Sequence, residues 1–461
     1  MSGSTADVVI CGAGIAGIST AYHLTVRHGV KNVLLVDERP PLSLTSDKST
    51  ECYRNWWPGP GSAMVELMNR SIDLLEGWAH QSNNGFHLNR RGYLFATARP
   101  TQAETYRQLG QEISDLGAGP LRIHNGTNSS LSYQPAAASG YRDQPDGADL
   151  ILDQDLILEH FPYLSEKTIA VMHARRCGWL SAQQLGQWLL TEAQSAGVEL
   201  LRGRVEGIHA EGGSIKAIDL AGAAGPQTVE TGSFVVAAGP MAAQVAGMLD
   251  VQVPIFCELH SKIAIPDSLG AVPREAPLLI WSDPQQLPWK PEERQALATD
   301  SSTAWLAETF PAGVHARPEG SADSPISLLL WTYDTEPIDP VFPPPHDEII
   351  YPEVTIRGLS TMLPAMKGYF EHLPRPVVDG GYYAKTEENR PLVCPLPVDG
   401  AYLIGALSGF GVMASPAAGE LLAAHLVGDE LPNYEGWFRL ERYGDPGYQR
   451  LLEDWGSTGQ L

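Results

Sequence analysis

The chain has 461 residues, of which 43% are hydrophobic and 18% charged. This composition excludes collagen, coiled coil and wholesale disorder, and the length predicts two or three globular domains. Lysine and arginine number 31 against 54 aspartates and glutamates, a net charge of −23. A field of this sign repels nucleic-acid phosphates and anionic lipid heads, so we expect neither nucleic acid nor a membrane surface as a partner.

Targeting and cysteine patterns exclude several further classes. No lysine or arginine precedes the apolar segment 8–22, which argues against an export signal. No apolar run approaches the roughly 20 residues of a membrane helix. The five cysteines lie far apart without zinc-ligand spacing: Cys11, Cys52, Cys177, Cys257 and Cys394. We therefore expect a cytoplasmic protein in a reducing compartment, with no membrane span and no metal site.

A glycine-rich turn follows the first predicted strand. Residues 8–11 form a short apolar run that leads into Gly12-Ala13-Gly14-Ile15-Ala16-Gly17, after which apolar residues recur at helical spacing. A second apolar run, 33–36, ends at Asp37 and Glu38, so an acid arrives 20 residues after Gly17. This order of strand, turn, helix, strand and acid predicts a dinucleotide-binding unit.

Each position of the motif has a physical reason. Gly12 permits the tight turn, Gly14 lets the backbone approach a pyrophosphate, and Gly17 lets the helix pack on the strand. The helix N-terminus supplies N–H donors to phosphate charge, and Asp37 can accept hydrogen bonds from ribose hydroxyls. The motif alone does not separate NAD from FAD.

The middle of the chain predicts two kinds of structure. A helix is expected near 62–78, a strand at 92–97, a surface loop at 124–147 and a second helix capped by Ser181. Strands at 198–201, 205–208, 214–220 and 227–230 lead to another buried strand that ends in Gly239-Pro240. Residues 253–374 alternate short strands with proline-rich loops, which favours a separate, largely antiparallel layer.

A second glycine-rich turn lies near the C-terminal end. Residues 403–411 read Leu-Ile-Gly-Ala-Leu-Ser-Gly-Phe-Gly, and an alanine- and leucine-rich helix is predicted over 416–427. A turn of this kind favours close backbone approach to a planar or anionic group. A large flavin clamped from both ends of the chain explains this late return, whereas an NAD domain has no need of it.

With these motifs the sequence resembles the D-amino acid oxidase type of FAD-dependent oxidoreductases, the group that contains sarcosine oxidase, glycine oxidase and dimethylglycine dehydrogenase. The family's FAD turn is similar to 12–17 with Asp37, and its segment beside the flavin is similar to Ser49-Thr50-Glu51-Cys52-Tyr53-Arg54. Its Ala-Gly-Pro turn resembles 237–240, and its closing Gly-x-Ser-Gly-x-Gly resembles 405–411 in this chain, where Ser408 precedes Gly409.

The resemblance implies a fold, a cofactor and a set of cofactor residues. The fold is α/β, a Rossmann-type FAD-binding domain with a discontinuous second substrate domain on a mostly antiparallel sheet. The FAD domain would take 1–85, 155–250 and 375–461, and the substrate domain 86–154 and 251–374. The implied FAD-binding residues are Gly12, Gly14, Ile15, Ala16, Gly17, Asp37, Glu38, Ser49, Thr50, Val205, Ala238, Gly239, Gly405, Gly409, Phe410, Gly411 and Val412.

The chain departs from the family at three positions. Gly381 replaces the cysteine that links sarcosine oxidases to their flavin, Met413 replaces a carboxylate-binding lysine, and Leu330 falls where a lysine serves oxygen chemistry. Cys52 is a candidate for covalent attachment, but a buried cysteine is usually a small apolar filler. We therefore expect non-covalent FAD. Whether the chain acts as an oxidase or as a dehydrogenase stays open.

Three residues are the candidates for substrate contact. Arg54 could bind a carboxylate with two hydrogen bonds or serve a loop salt bridge. Tyr382 and Tyr383 alternate across a strand, and we assign Tyr383 to the pocket; Lys385 then faces the same side, although a surface lysine is the commoner case. His260 is interpreted as a structural histidine.

The resemblance implies oxidation of the C–N bond of an amine or amino acid by hydride transfer to the flavin, after which the imine is hydrolysed. The expected partners are this small molecule and O2 or another electron acceptor. Two alternatives stay open. The chain could oxidise a 2-hydroxy acid or related alcohol, which would require a base, or it could be a flavoprotein subunit that needs a partner chain.

Overall fold

The computed structural model describes residues 4–126, 132–222, 225–456 and 459. Its strands are β1 (Ser4–Thr5), β2 (Val8–Cys11), β3 (Val33–Asp37), β4 (Cys52–Arg54), β5 (Tyr93–Thr97), β6 (Leu121–His124), β7 (Ala148–Ile151), β8 (Ala170–Ala174), β9 (Cys177–Trp179), β10 (Val198–Glu211), β11 (Ser214–Gly222), β12 (Gly225–Glu230), β13 (Phe234–Val236), β14 (Phe256–Pro266), β15 (Leu278–Trp281), β16 (Gln285–Gln286), β17 (Thr309–Phe310), β18 (His315–Pro318), β19 (Ile326–Leu330), β20 (Val377–Lys385), β21 (Leu392–Pro395) and β22 (Ala401–Gly405).

The α-helices are α1 (Ile15–Tyr22), α2 (Thr45–Lys48), α3 (Ala63–Gln81), α4 (Pro100–Ile113), α5 (Gln154–His160), α6 (Ala182–Ser195), α7 (Ala242–Gly247), α8 (Pro291–Thr299), α9 (Ile350–Met362), α10 (Gly411–Val427) and α11 (Pro446–Glu453). Within the described ranges, none of these helices has the length and apolar character needed to cross a membrane.

The first sheet has the strand order β1-β12-β11-β10-β3-β2-β13-β22-β21. Strands β10, β3, β2, β13 and β22 run parallel at its centre, and β21 closes one side antiparallel. Strands β2 and β13, at the middle of this parallel group, are short, continuously apolar and almost fully buried, as strands covered on both faces must be. The carboxyl ends of these strands therefore meet along one edge, where the glycine-rich turns follow.

Helices α1, α6 and α10 pack over the first sheet, and α3 packs against α10. The crossing of α1 and α10 is close because Gly419 has no side chain: a Cβ there would lie 2.5 Å from the Ser19 hydroxyl oxygen. The Ser19 hydroxyl also donates to the backbone oxygen of Ser415 across this contact. The two glycine-turn helices are thereby held side by side.

The second sheet has the order β20-β14-β19-β18-β15-β5-β8-β7-β6, and all of its pairings are antiparallel except β15 with β5 and β6 with β7. Strand β14 pairs with β19 on one side and with β20 on the other. Residues of all three strands line the small cavity described below. A mostly antiparallel second layer is therefore confirmed.

Two strands lie in segments predicted for the FAD domain but belong to the second sheet. β8 falls in the segment assigned to the first domain, and β20 in the C-terminal segment, yet both are hydrogen-bonded members of the second sheet. The domain boundaries themselves stay a prediction, because composition does not report strand pairing. The two strands predicted over 198–208 are one continuous strand, β10, which leaves its parallel pairing with β3 and continues antiparallel to β11.

Of the predicted surface loop at 124–147, residues 127–131 lie outside the described residues. The described part is anchored by two buried tyrosines, Tyr133 and Tyr141, and the Tyr133 hydroxyl hydrogen-bonds the His173 ring at 2.8 Å. The aromatic rings pack inward although the surrounding residues are polar. Ser181 caps α6 as predicted, since its hydroxyl accepts the Gln184 N–H.

Candidate active site

A large cavity of about 410 Å³ opens at the carboxyl ends of the parallel strands in the first sheet. Its size falls in the usual range for ligand sites, roughly 300–1,000 Å³. The predicted cofactor residues that line it are Gly12, Gly14, Ile15, Ala16, Asp37, Glu38, Ser49, Val205, Ala238, Gly239, Gly405, Gly409, Gly411 and Val412. The structure thus brings together five segments that are remote in sequence.

The first glycine turn is dictated by backbone contacts. Gly12 has φ +116°, and a Cβ there would lie 2.3 Å from the Ala237 carbonyl oxygen. Gly17 does not line the cavity; a Cβ on it would lie 1.9 Å from the Gly12 carbonyl oxygen. Gly14 differs, because the nearest atom to its Cβ would be the Ser46 hydroxyl at 3.3 Å. Gly12 and Gly17 shape the turn, whereas Gly14 faces the cavity.

Asp37 stands at the end of β3, where it supports the turn. One carboxylate oxygen accepts the Ala13 N–H at 2.7 Å and the other accepts the Arg39 N–H at 2.8 Å. Burial raises the pKa of Asp37, and the two amide hydrogen bonds act in the opposite direction. Each oxygen keeps a further lone pair for a ligand hydroxyl. Glu38 also lines the cavity but is more exposed.

The second glycine turn joins the large cavity to a small one. Ala406 and Ser408 both have positive φ, 53° and 45°, and α10 begins directly after the turn at Gly411. A Cβ on Gly409 would lie 2.2 Å from the Tyr383 ring, so this position must be glycine while the tyrosine keeps its place. Gly409 lines both cavities.

The small cavity, about 70 Å³, lies between this turn and the second sheet. The predicted site residues that line it are Thr50, Arg54, Tyr383, Gly409 and Phe410. Leu330 and Met413 line it as well, so the two positions at which the resembling family has lysines are apolar walls of one cavity. Tyr382, on the opposite face of β20, lines the large cavity instead, and the predicted alternation of the two tyrosines holds.

Arg54 is a buried cation beside the small cavity. Its guanidinium donates a hydrogen bond to the Gly459 carbonyl and lies 4.3 Å above the Trp57 ring. No carboxylate of the described residues comes within 4.0 Å of it. Burial lowers the pKa of Arg54, yet an arginine stays charged in a protein. The site therefore holds a positive charge that only neutral groups and aromatic faces contact in the described chain.

The sequence interpretation favoured a surface position for Lys385, and that prediction was wrong. Lys385 lines neither the large nor the small cavity. It is buried, and its ammonium lies 3.1 Å from the Glu258 carboxylate. The reason is the strand pairing of β14 with β20, which places an acid on the adjoining strand. Its assignment to direct substrate contact gains no support from this geometry.

Cys52 lines the small cavity rather than the large one, and its thiol donates to the Thr50 carbonyl at 3.3 Å. Burial raises the pKa of Cys52 to about 11, although Arg317 and neighbouring hydrogen bonds lower it. A protonated thiol is a weak nucleophile, so the environment does not activate Cys52 for covalent attachment.

The sequence interpretation missed Glu258, His315 and Thr332, and it treated His260, which lines the small cavity, as a structural residue. His260 lines the small cavity with its ring stacked on Tyr383 at 3.9 Å between centroids, and it hydrogen-bonds both Glu258 and Thr332. The spacing Glu258-x-His260 on a strand was a usable signal, because residues two apart share a face. Thr332 had no such signal.

Two glycine turns follow the carboxyl ends of a parallel sheet, and a second sheet encloses a smaller cavity against them. This arrangement is typical of a dinucleotide-binding protein with a separate substrate layer. The profile of the family described as DAO, FAD dependent oxidoreductase, matches residues 7–425, and the chain belongs to this family. It is thus an FAD-dependent oxidoreductase, and the predicted family and cofactor are confirmed.

Curated relatives match part of the chain. The sarcosine oxidase subunit beta of Rhizobium meliloti is 25% identical over 252 residues, 54% of this chain and 53% of that protein. The protein of the same name from Rhodobacter capsulatus is 25% identical over 210 residues, 45% of this chain and 47% of that protein. The matched regions span about half the length of these relatives.

Solved structures match the whole fold. L-proline dehydrogenase from P. horikoshii superposes with a TM-score of 0.72 at 19% identity, covering 96% of this chain and 98% of that one. Glycine oxidase from Geobacillus kaustophilus gives 0.70 at 16% identity, covering 95% and 98%. At these identities the likeness concerns the fold.

The large cavity fits FAD in the chemistry of its lining. The N-termini of α1 and α10, each preceded by a glycine-rich turn, form part of the cavity wall. Helix N-termini favour the negative charge of a diphosphate. Asp37 retains acceptor capacity at the end of β3, as ribose hydroxyls require. With FAD bound, the turn of Gly12 and Gly14 would hold the diphosphate and Asp37 the ribose hydroxyls.

Proposed function

We propose that this chain oxidises the C–N bond of an amine or amino acid, with the substrate in the small cavity. FAD, when bound, supplies the hydride acceptor. The observation that carries the proposal is the buried guanidinium of Arg54, which lies at the cavity with no carboxylate partner among the described residues. A substrate carboxylate would supply one, because arginine offers it two parallel hydrogen bonds.

The chain's own residues orient and desolvate the substrate. Arg54 would hold the carboxylate, and Trp57, Tyr383, Leu330 and Met413 present aromatic and apolar walls that exclude water. His260, whose pKa burial lowers, and His315, whose pKa burial lowers to about 4, are neutral at pH 7. The cavity therefore does not repel a substrate ammonium strongly, and Arg54 orients it by its opposite end.

Anaerobic titration of the purified flavoprotein tests this function. Sarcosine, glycine, L-proline and iminodiacetate are added in turn, and loss of the flavin absorbance near 450 nm is recorded (from roughly 10 µM to 100 mM amine). Bleaching by one of them is expected. Bleaching by lactate or glycerol 3-phosphate but by no amine would show the alcohol alternative to be correct.

Arg54→Gln separates carboxylate recognition from the chemistry. We expect the KM for an amino acid that bleaches the flavin to rise by about 10- to 100-fold, in line with loss of a charged hydrogen-bond pair. The matched probe is the same amine without its carboxylate, such as dimethylamine for sarcosine, whose reduction rate should change by less than about threefold. Equal losses for both probes would remove Arg54 from this role.

The curated relatives are named as subunits, which supports a second candidate: this chain requires a partner chain for turnover. Its signature is a flavin that an amine bleaches under anaerobic conditions but that O2 reoxidises slowly.

We also propose a non-covalent flavin and a cytoplasmic location; the absence of any disulfide among the five cysteines, all of which are described, supports the location.

A further inference from the structure

Four polar side chains, three from strands β14 and β20 and one from the segment after β19, form a continuous series of hydrogen bonds that ends at the small cavity. Thr332 Oγ1 lies 3.1 Å from His260 Nδ1, and His260 Nε2 lies 2.8 Å from Glu258 Oε2. The Lys385 ammonium contacts both oxygens of Glu258, at 3.1 and 3.2 Å. Thr332 and His260 line the cavity, whereas Glu258 and Lys385 lie buried behind them.

The ionised state of Glu258 decides which atoms of this hydrogen-bond series carry protons. Burial acts to raise the pKa of Glu258, but hydrogen bonds from His260 and Lys385 outweigh it and hold that pKa below its ordinary value. An ionised carboxylate only accepts hydrogen bonds, so His260 must carry its proton on Nε2 and donate it to Glu258. The Nδ1 lone pair then faces Thr332, whose hydroxyl donates to it.

We propose that Thr332 and His260 form a proton relay that removes a proton from the ammonium group of the bound substrate. This inference rests on the proposed amine oxidation and names the residues that prepare the amine for it. Glu258 and Lys385 are positioning residues: they fix the tautomer of His260 and hold a carboxylate against the imidazolium that forms. The arrangement follows the logic of a hydroxyl, a histidine and a carboxylate in series.

The step balances in protons and electrons. The N–H bond of the ammonium breaks, its proton goes to Thr332 Oγ1, and the hydroxyl proton of Thr332 passes to His260 Nδ1. The electron pair of the broken bond stays on nitrogen, where it would form the C=N bond as the neighbouring carbon gives up its hydride; FAD, when bound, would supply the two-electron acceptor. His260 returns the proton to solvent after the product leaves.

The other groups that face His260 allow it to receive this proton. On β20, the Lys385 ammonium disfavours the imidazolium, but it lies beyond the Glu258 carboxylate, and the Tyr383 ring stacks on the imidazole. Asp334, which follows β19, favours the charged form, while neighbouring His315 stays neutral. Stacking on an aromatic face also stabilises a cationic ring.

A purely structural role does not explain the placement. Burying the Lys385–Glu258 pair costs more desolvation free energy than an apolar core of similar volume. Strand β14 presents Glu258 and His260 on one face, and Thr332, two residues beyond the end of β19, reaches His260 at 3.1 Å. The result is a hydroxyl at the cavity backed by a neutral base.

Rapid-mixing measurements of flavin reduction test the relay, with the amine from the panel that bleaches the wild-type holoenzyme and over the range from about pH 6 to 10. Thr332→Val and His260→Gln should slow reduction by about 10²-fold at pH 7, within the range of general base catalysis. The loss should shrink below about fivefold near pH 10, because the amine then enters already neutral. Thr332→Ser, which restores the hydroxyl, should stay within about fivefold of wild type at every pH.

Thr355→Val is the matched control, since its buried hydroxyl donates to the Tyr351 carbonyl of its own helix α9 and it is not a wall of the small cavity. Its reduction rate should follow that of wild type at all pH values. A loss in Thr332→Val that is the same at every pH would overturn the relay, because a packing defect does not depend on the charge of the amine.

A second readout is independent of turnover. Nitrogen-15 spectra of the holoenzyme labelled at histidine, with His260 assigned by its disappearance in His260→Gln, report which ring nitrogen carries the proton. Protonated Nε2 and bare Nδ1 are expected, with the Nδ1 resonance shifted in Thr332→Val. The opposite tautomer would refute the relay whatever the substrate. Failure of every amine to bleach the wild-type flavin would refute the proposed function, and the relay's role with it.

Discussion

The large and small cavities are built in different ways. The large one is shaped by backbone at the ends of parallel strands, and its critical residues are glycines at which a Cβ would strike a carbonyl oxygen. The small one is shaped by side chains that meet across the second sheet, such as His260 with Thr332, 72 residues apart, and Glu258 with Lys385, 127 residues apart. A site made by backbone leaves its mark in a short motif, whereas a site made by side chains depends on strand register.

The strongest test of the backbone-built cavity compares two glycines of one turn. Gly17→Ala should abolish FAD binding and destabilise the protein by about 3 kcal/mol or more, because the new methyl meets the Gly12 carbonyl oxygen rather than a flexible side chain. Gly14→Val should leave the apoprotein folded and still prevent FAD binding. Circular dichroism and flavin absorbance measure the two effects; stoichiometric yellow FAD in Gly14→Val would refute the assignment of the turn.

Removing a buried charge from the second sheet should lower the stability of the protein. Asp149 on β7 accepts hydrogen bonds from Arg122, His124 and Arg175, which outweigh the effect of burial and hold its pKa below the ordinary value. Asp149→Asn should lower the free energy of unfolding by about 3–5 kcal/mol at pH 7, since it leaves buried Arg175 without its counter-ion.

The pH dependence of this effect has a definite sign. Because the folded-state pKa of Asp149 is depressed, its stabilisation is complete above the ordinary carboxyl pKa of about 4 and is lost as pH falls below that value. Urea unfolding at about pH 7 and at about pH 3 should therefore show the difference between variant and wild type shrinking in acid. Asp73→Asn, at a half-exposed ion pair with Arg176, is the control and should cost less than about 1 kcal/mol.

A smaller effect distinguishes the two acids at the end of β3. Asp37→Asn should weaken FAD binding by about tenfold, because the amide cannot accept hydrogen bonds at both of its heavy atoms while the Ala13 and Arg39 N–H groups demand two acceptors. Glu38→Gln should weaken it by less than about threefold, since that side chain is largely solvated. Equal dissociation constants for the two variants, measured by fluorescence quenching of FAD, would contradict the assignment of the ribose to Asp37.

The smallest expected effect concerns Cys52. Cys52→Ala should leave the yellow colour in the supernatant after acid precipitation, as in wild type, because burial keeps the thiol protonated. Colour that stays in the wild-type pellet but leaves it in the variant would establish a covalent link. A slight change in the reduction rate is compatible with its place in the wall of the small cavity.

Prediction from the sequence succeeded where conformation demands a residue type. The first turn, the second turn and the acid after β3 line one cavity, and the contacts at Gly12 and Gly17 tolerate only glycine; that these residues bind FAD stays a prediction. It failed for Lys385, whose character suggested the surface, and it did not anticipate that β8 and β20 pair within the second sheet. In each case the missing information was which strand lies alongside.

By itself the sequence determined the strand, turn and helix units of the first sheet and the cofactor class, since these depend on local backbone geometry and on a motif of fixed spacing. Only the tertiary structure decided that Arg54 is buried without an acidic partner in the described chain, and that Thr332, His260 and Glu258 align at the small cavity. Register between strands distant in sequence sets those contacts, and a shift of one residue would turn each side chain to the opposite face.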